Sequence, residues 1–138
     1  MLKELIITGG LVTISVLILK YLFERFEEEN GKVPDTIADV ADEQLYVDSV
    51  SAGDVKSWFV EKNADKKYTN ILFYPTTDKI EKFGLDDFAF SDDENYLVQA
   101  IFDSETDKVI VSRIIVYREI SSKLAELLEK NNGAVILD

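Results

Sequence analysis

The chain has no cysteine and no histidine among its 138 residues. The first absence excludes disulfides, thiolate zinc sites and cysteine nucleophiles, and the second removes the commonest general base and transition-metal ligand. There is also no glycine-rich phosphate loop with its lysine. A pair of carboxylates remains as a route to catalysis, but nothing in their spacing supports one. We therefore expect no enzyme, no cofactor, no small-molecule substrate and no metal site.

Basic residues are scarce relative to acidic ones. The chain has 15 Lys and Arg against 27 Asp and Glu, a net charge of −12. Residues 31–138 carry −10 of this and residues 1–30 only −2. So acidic a surface repels nucleic acid and anionic headgroups, which excludes nucleic acid as a partner.

One long apolar run, Leu5 to Phe23, stands out against this background. A helix of its length covers about 28 Å, close to the roughly 30 Å of a bilayer's hydrocarbon core. No charge lies between Glu4 and Lys20, and twelve of its nineteen residues are Leu, Ile, Val or Phe. The run predicts a single transmembrane helix in contact with the lipid bilayer through Leu5, Leu11, Ile14, Leu17, Lys20 and Phe23.

Three other interpretations compete with a membrane span. A buried helix of a soluble protein usually shows one polar face, whereas Thr8, Thr13 and Ser15 form no charged stripe. A cleaved signal peptide needs a small-residue cleavage site and an interfacial helix needs a basic face, and the sequence has neither. The span is therefore the favoured interpretation.

Positive-inside counting predicts the orientation of such a span. Lys3 and the terminal amine precede it, whereas Lys20, Arg25 and Lys32 lie at its end or beyond. Because the flank richer in Lys and Arg stays in the cytoplasm, we expect the N terminus outside and the folded domain inside.

The remainder of the chain divides by composition. Residues 1–30 are interpreted as the transmembrane helix with a juxtamembrane extension, residues 31–44 as an acidic linker, and residues 45–138 as an acidic domain. A hydrophobic content of 46% and an aromatic content of 11% are too high for a disordered chain. About a hundred residues is a common domain size.

N-terminal capping residues predict two helices in this domain. Ser51 and Asp54 form a variant capping box, with Val50 and Val55 placed as its hydrophobic staple, and this helix ends near Asn63. The last helix is capped by Ser121 or Ser122. A shorter helix is predicted over Asp78–Phe83.

Strand-like segments alternate with these helices. The segments Tyr96–Phe102 and Lys108–Arg118 are joined by five turn residues and predict a hairpin, with apolar residues on both faces that indicate central positions. The order of elements predicts an α+β fold: a two-layer α/β sandwich with two main helices on one face of a mixed, mainly antiparallel sheet of about five strands. The other three strands are Leu45–Val50, Thr69–Tyr74 and Ala134–Leu137.

Residues 83–107 contain eight acidic side chains and no basic one. The spacing Asp103-x-Glu105-x-Asp107 resembles the start of an EF-hand loop, but Lys108 stands where the glycine is needed and Ile114 where the glutamate is needed. An acidic edge with exposed aromatic residues would instead offer an apolar patch with an anionic rim to a basic protein. The candidate partner-binding residues are Asp86, Asp87, Phe88, Phe90, Asp92, Asp93 and Glu94.

Together these features predict a membrane-anchored acidic domain that acts as a non-catalytic protein-interaction module or as a small subunit of a membrane assembly. The alternative is an acidic inhibitor or immunity-type protein that neutralises a basic enzyme by charge mimicry. That alternative rests on the net charge alone.

Overall fold

The computed structural model describes residues 10–75 and 95–137 of the chain. Three α-helices are present in these ranges, α1 (Gly10–Asn30), α2 (Ala52–Lys62) and α3 (Ser122–Lys130), with a short 3-10 helix at Ile37–Val40. The helix predicted over Asp78–Phe83 lies outside the described residues. The five strands are β1 (Glu43–Val50), β2 (Thr69–Phe73), β3 (Asn95–Asp103), β4 (Lys108–Ile120) and β5 (Ala134–Leu137).

The strands form one mixed sheet in the order β1-β4-β3-β2-β5. β1 is parallel to β4, and the other three pairings are antiparallel. The α+β class, the five strands and the mainly antiparallel sheet are thus confirmed. The predicted hairpin is confirmed as well, because β3 pairs with β4 and Asp103 lies opposite Lys108.

Helices cover both faces of this sheet. Successive residues of a strand point to opposite faces, and in β3 Val98 and Ala100 join the core under α1, whereas Leu97 and Ile101 join the core under α2 and α3. The structure therefore has three layers and not the two that were predicted. The prediction missed a layer because it assigned the first helix to lipid.

Helix α1 packs its apolar stripe on the sheet. Ile14, Ile18 and Leu22 recur at four-residue spacing, and they share one core with Leu19 and Phe23 and with sheet residues. On other sides of the helix Leu17 is 38% exposed, and Lys20 lies 3.9 Å from Glu24.

None of the helices in the described ranges is both long and apolar enough to cross a membrane, so the predicted span is not supported. Of the residues assigned to it, Ile14 and Phe23 are buried, Leu11 packs on the core, and Leu5 lies outside the described residues. The cytoplasmic placement of the domain was deduced from that span and stays a prediction.

The segment between α1 and β1 is packed against the same core, although its composition predicted a linker. Gly31, at φ 67°, ends α1 in the left-handed conformation that glycine adopts without strain. Ile37, Ala38 and Val40 of the 3-10 helix are then buried. Residues 1–30, 31–44 and 45–138, which composition separated, thus contribute to one body within the described ranges.

A polar clamp fastens this segment to α1 and to β4. The carboxylate of Asp42 accepts hydrogen bonds from the backbone N–H of Ser112 at 2.9 Å and from its hydroxyl at 3.0 Å. The Arg25 guanidinium lies 3.2 Å from the same carboxylate and donates to the carbonyl of Val40 at 3.3 Å. Charge-assisted hydrogen bonds of this kind fix the end of α1 over the sheet.

The local helix signals of the sequence are confirmed. The Ser51 hydroxyl accepts from the backbone N–H of Asp54 at 3.3 Å, and the Asp54 carboxylate accepts from the backbone N–H of Ser51 at 3.0 Å. Ser121 caps α3 through the backbone N–H of Leu124. These caps set where α2 and α3 begin, and both helices bury apolar residues on the face of the sheet opposite α1.

Candidate functional site

The candidate partner-binding residues taken from the sequence lie in the acidic stretch 86–94. Asp86, Asp87, Phe88, Phe90, Asp92, Asp93 and Glu94 all fall outside the described residues, so their role stays a prediction. Of the other acids in residues 83–107, Asp103 accepts from the backbone N–H of Glu105 at 2.9 Å, which lowers the pKa of its carboxyl group. No group of three metal-ligating side chains occurs in residues 10–75 and 95–137.

Helix α2 is the element around which the described surface features gather. It buries Val55, Trp58 and Phe59 against the sheet and exposes Val60, whose side chain is 69% accessible. A large exposed apolar side chain among charged residues is a feature of interaction surfaces. The exposed surface of α2 runs along the helix, and a groove borders it on each side.

The first groove lies between α2 and the edge strand β1. It encloses about 360 Å³, and its apolar walls are Leu45, Val47, Val50 and Trp58. The carboxylates of Asp54 and Glu61 stand at its rim, and Arg113 of β4 is its one lining cation among the described residues. We call this space the acidic groove.

Arg113 is held in the acidic groove by a buried amide. Its Nε donates to Oε1 of Gln99 at 2.8 Å, and Nε2 of Gln99 donates to the carbonyl of Val55 at 3.0 Å. The guanidinium also lies over the ring of Trp58, at 5.2 Å from the centroid. Gln99 is fully buried, so this chain of contacts ties the base of the groove to the interior.

The charge of the acidic groove is dominated by its carboxylates. Burial lowers the pKa of the Arg113 guanidinium, while Glu43, Asp54 and Glu61 act in the opposite direction by stabilising its positive charge. Lys62 lies 3.3 Å from the Glu43 carboxylate and 4.0 Å from the Glu61 carboxylate, and the Asp54 carboxylate accepts from the backbone N–H and the hydroxyl of Ser51. Asp54 and Glu61 are both exposed, and with Arg113 as the lining cation they leave the groove with an excess of one negative charge.

The indole of Trp58 adds a buried donor to the same groove. Its side chain is 4% exposed, and its Nε1 has no acceptor among the described residues. Buried indole N–H groups usually find a partner. The acidic groove therefore combines an apolar wall, an outward carboxylate rim and a donor that is not satisfied within the described chain.

The second groove lies on the other side of α2, against α3 and the end of β5. It encloses about 380 Å³, with Ala52, Leu127 and Leu137 as its apolar floor. Its charged lining residues are Lys56, Lys123, Glu126 and Lys130. An adjoining space of about 200 Å³ shares Lys56 and Leu137 with it and adds Lys66. We call these two spaces together the lysine groove; it is a basic patch on a chain whose net charge is −12.

The helical repeat explains why one short helix separates opposite charges. Asp54 and Lys56 are two positions apart, which is about 200° around a helix. Glu61 returns to the side of Asp54, and Val60 to the side of Lys56, at helical spacing. The charged groups of the two grooves are carboxylates, ammonium groups and one guanidinium, which can form salt bridges and hydrogen bonds.

Sequence reasoning did not find either groove. The helix itself and its cap were predicted, and the alternation of Asp54 with Lys56 was visible. Gln99 and Arg113, however, are opposite partners on β3 and β4, and only strand register places them together. Lys123 reaches Lys56 only through the packing of α3 beside α2.

No family model matches the chain, and no curated protein or solved structure shows significant similarity to it.

Proposed function

We propose that this chain is a non-catalytic protein-interaction module whose docking surface is the exposed side of α2 with the grooves that flank it. We call this surface the α2 face. The observation that carries the proposal is the arrangement of carboxylates on one side of α2 and lysines on the other, with Val60 exposed between them. Apolar centres with charged rims are the common anatomy of protein interfaces.

The arrangement favours a protein partner over a small molecule. Both grooves are open toward solvent along α2, and Asp54, Glu61, Lys56 and Lys123 are exposed beside them. A ligand that contacts the charges on both sides of α2 must extend across the helix, which a protein surface does and a small molecule does not. An eleven-residue helix extends about 16 Å. The partner that fits is a protein surface with basic groups opposite Asp54 and Glu61 and acidic groups opposite Lys56 and Lys123.

The proposal differs from the acidic inhibitor that was predicted from the net charge alone. Mimicry of an anionic substrate needs a surface that is negative throughout, and the lysine groove adds positive charge to this face. The suggestion of a membrane subunit drew on the apolar run, and the proposal does not depend on that run, because α1 lies on the opposite face of the sheet.

Site-specific photo-crosslinking in cells tests the docking surface. A benzophenone amino acid replaces Ser57 or Val60 on the α2 face, and Val33, which is exposed in the segment after α1, serves as the matched control. We expect crosslinked protein adducts from both α2 positions and none from position 33. Equal adducts from all three positions, or none from α2, would contradict the proposal.

A further inference from the structure

The α2 face is complementary in charge to itself, and we propose that its partner is the same face of a second copy of this chain. This inference rests on the proposed function, since it names the protein that the docking surface binds. Three features of the surface support it: the acidic rim on one side of α2, the lysines on the other, and the exposed Val60 near the line between them.

Symmetry decides whether two such faces can pair. When two copies meet face to face, a two-fold axis that lies in the interface parallel to α2 exchanges left and right. The acidic groove of each copy then lies opposite the lysine groove of the other, and the same contacts form twice. A two-fold axis perpendicular to α2 would instead place like charges together, so the charges select one arrangement.

The residues that meet follow from that axis. Asp54 and Glu61 of one copy face Lys56 and Lys123 of its partner, and the two Val60 side chains lie near the axis. Complementary charges fix orientation and register at an interface more than they add affinity. The apolar contribution comes from Val60 and from the apolar floors of the grooves, which a second copy would cover.

The net charge of −12 per copy opposes association at long range. At physiological ionic strength the screening length is about 8 Å, which weakens repulsion between distant charges more than attraction between charges in contact. We therefore expect the dimer to be favoured at physiological salt over very low salt. A different partner whose surface carries charge of one sign would be held by attraction between opposite charges. Its affinity should therefore fall steadily as salt is added.

Sedimentation equilibrium of the full chain, with two charge-reversed variants, tests the pairing. One variant carries Lys56→Glu and Lys123→Glu, so that both sides of α2 are acidic, and the other carries Asp54→Lys and Glu61→Lys, so that both are basic. We expect a wild-type dimer, at least a tenfold weaker association of each variant alone, and recovery of a dimer when the two variants are mixed. Circular dichroism melting shows that each variant is folded before it is compared.

A single cysteine provides a second measurement, because the chain has none of its own. In the Val60→Cys variant, a short bismaleimide should link two copies, and the Val33→Cys variant, whose cysteine is also exposed, should stay unlinked. Wild-type protein that remains monomeric at high concentration, or a dimer that tolerates both charge reversals, overturns the inference. If the wild type is monomeric while Val60 crosslinks a different protein in cells, the proposed function stands and only the identity of the partner fails. If neither occurs, both fail.

Discussion

The two faces of the sheet are covered by different means. Under α1, a stripe of large apolar side chains meets the sheet, and a polar clamp of Asp42, Arg25 and Ser112 fastens its end. Under α2 and α3, a buried amide, Gln99, reaches a half-buried cation, and open grooves border the helix. The first face is closed mainly by apolar packing, whereas the second leaves two grooves and an exposed apolar side chain, on which the proposed docking surface rests.

Loss of a large side chain from the core between α1 and the sheet should have the largest effect on stability. Phe23 is 1% exposed in the core that α1 shares with the sheet. We expect Phe23→Ala to reduce the free energy of unfolding by about 3–5 kcal/mol, because it removes apolar burial and leaves a cavity. Urea denaturation of the full chain measures the change.

Leu17→Ala is the matched control on the same helix, since Leu17 is substantially exposed. It should cost about 1 kcal/mol or less. Equal effects of the two substitutions would mean that α1 does not pack this stripe of side chains against the sheet.

Removal of the buried amide under α2 should have the next largest effect. Gln99→Leu leaves the Arg113 guanidinium half-buried without its acceptor, and we expect a loss of about 1–3 kcal/mol. In a double-mutant cycle with Arg113→Met, the second change should recover part of the loss, since no unpaired cation remains. Strict additivity of the two changes would show that the pair is not coupled.

The clamp on the α1 face should contribute less, because it is partly open to water. Asp42→Ala removes the acceptor of the Ser112 and Arg25 hydrogen bonds, and we expect a cost of about 1–2 kcal/mol in thermal or urea unfolding. Asp48 is the control: its side chain is almost fully exposed, and the nearest Arg118 nitrogen lies 3.9 Å away. Exposed pairs of this kind contribute little, so Asp48→Ala should leave stability nearly unchanged.

Alkaline pH should destabilise the core on the α2 and α3 side of the sheet. Tyr117 is buried in that core, and burial raises the pKa of its hydroxyl above the ordinary value of 10.0. Because folding favours the neutral form, its contribution is fully present below pH 10 and is lost as the pH rises toward the folded-state value. We expect about 1 kcal/mol of lost stability over the first pH unit above 10.

The Tyr117→Phe variant should lose stability less steeply in that range, as measured by urea unfolding at successive pH values. The pKa of Tyr74 is also raised by burial, so some slope should remain. Replacement of the exposed Tyr46 by Phe should leave the wild-type slope unchanged.

Much of the fold could be predicted because its signals are local. The Ser51 cap, the apolar run of β3 and the hairpin to β4 each depend on residues within a few positions of one another. The docking of α1 could not be predicted in this way. Its stripe of Ile14, Ile18 and Leu22 looks alike whether it faces lipid or a sheet, and only the apolar face of a sheet formed much later in the chain decides between them.

The candidate site was harder to predict from the sequence than the fold. An excess of acid drew attention to residues 86–94, whereas the described grooves depend on the register of β3 with β4 and on α3 lying beside α2. Lysines dispersed in the sequence at positions 56, 123 and 130 give no composition signal. Counting charged residues in short windows of the sequence cannot detect a basic patch that is assembled from distant segments.

The parallel pairing of β1 with β4 has a consequence for the order in which the chain folds. Asp42 and Ser112, which meet at the start of this pairing, are 70 positions apart, whereas β3 and β4 are joined by a turn of four residues. Closing a long loop costs more entropy than closing a short one, so the hairpin can form early and β1 must wait for most of the chain. Native-state hydrogen exchange should then find β1 amides opening at lower free energy than those of β3. The strand that borders the acidic groove would thus join the sheet after the hairpin and leave it before the hairpin does.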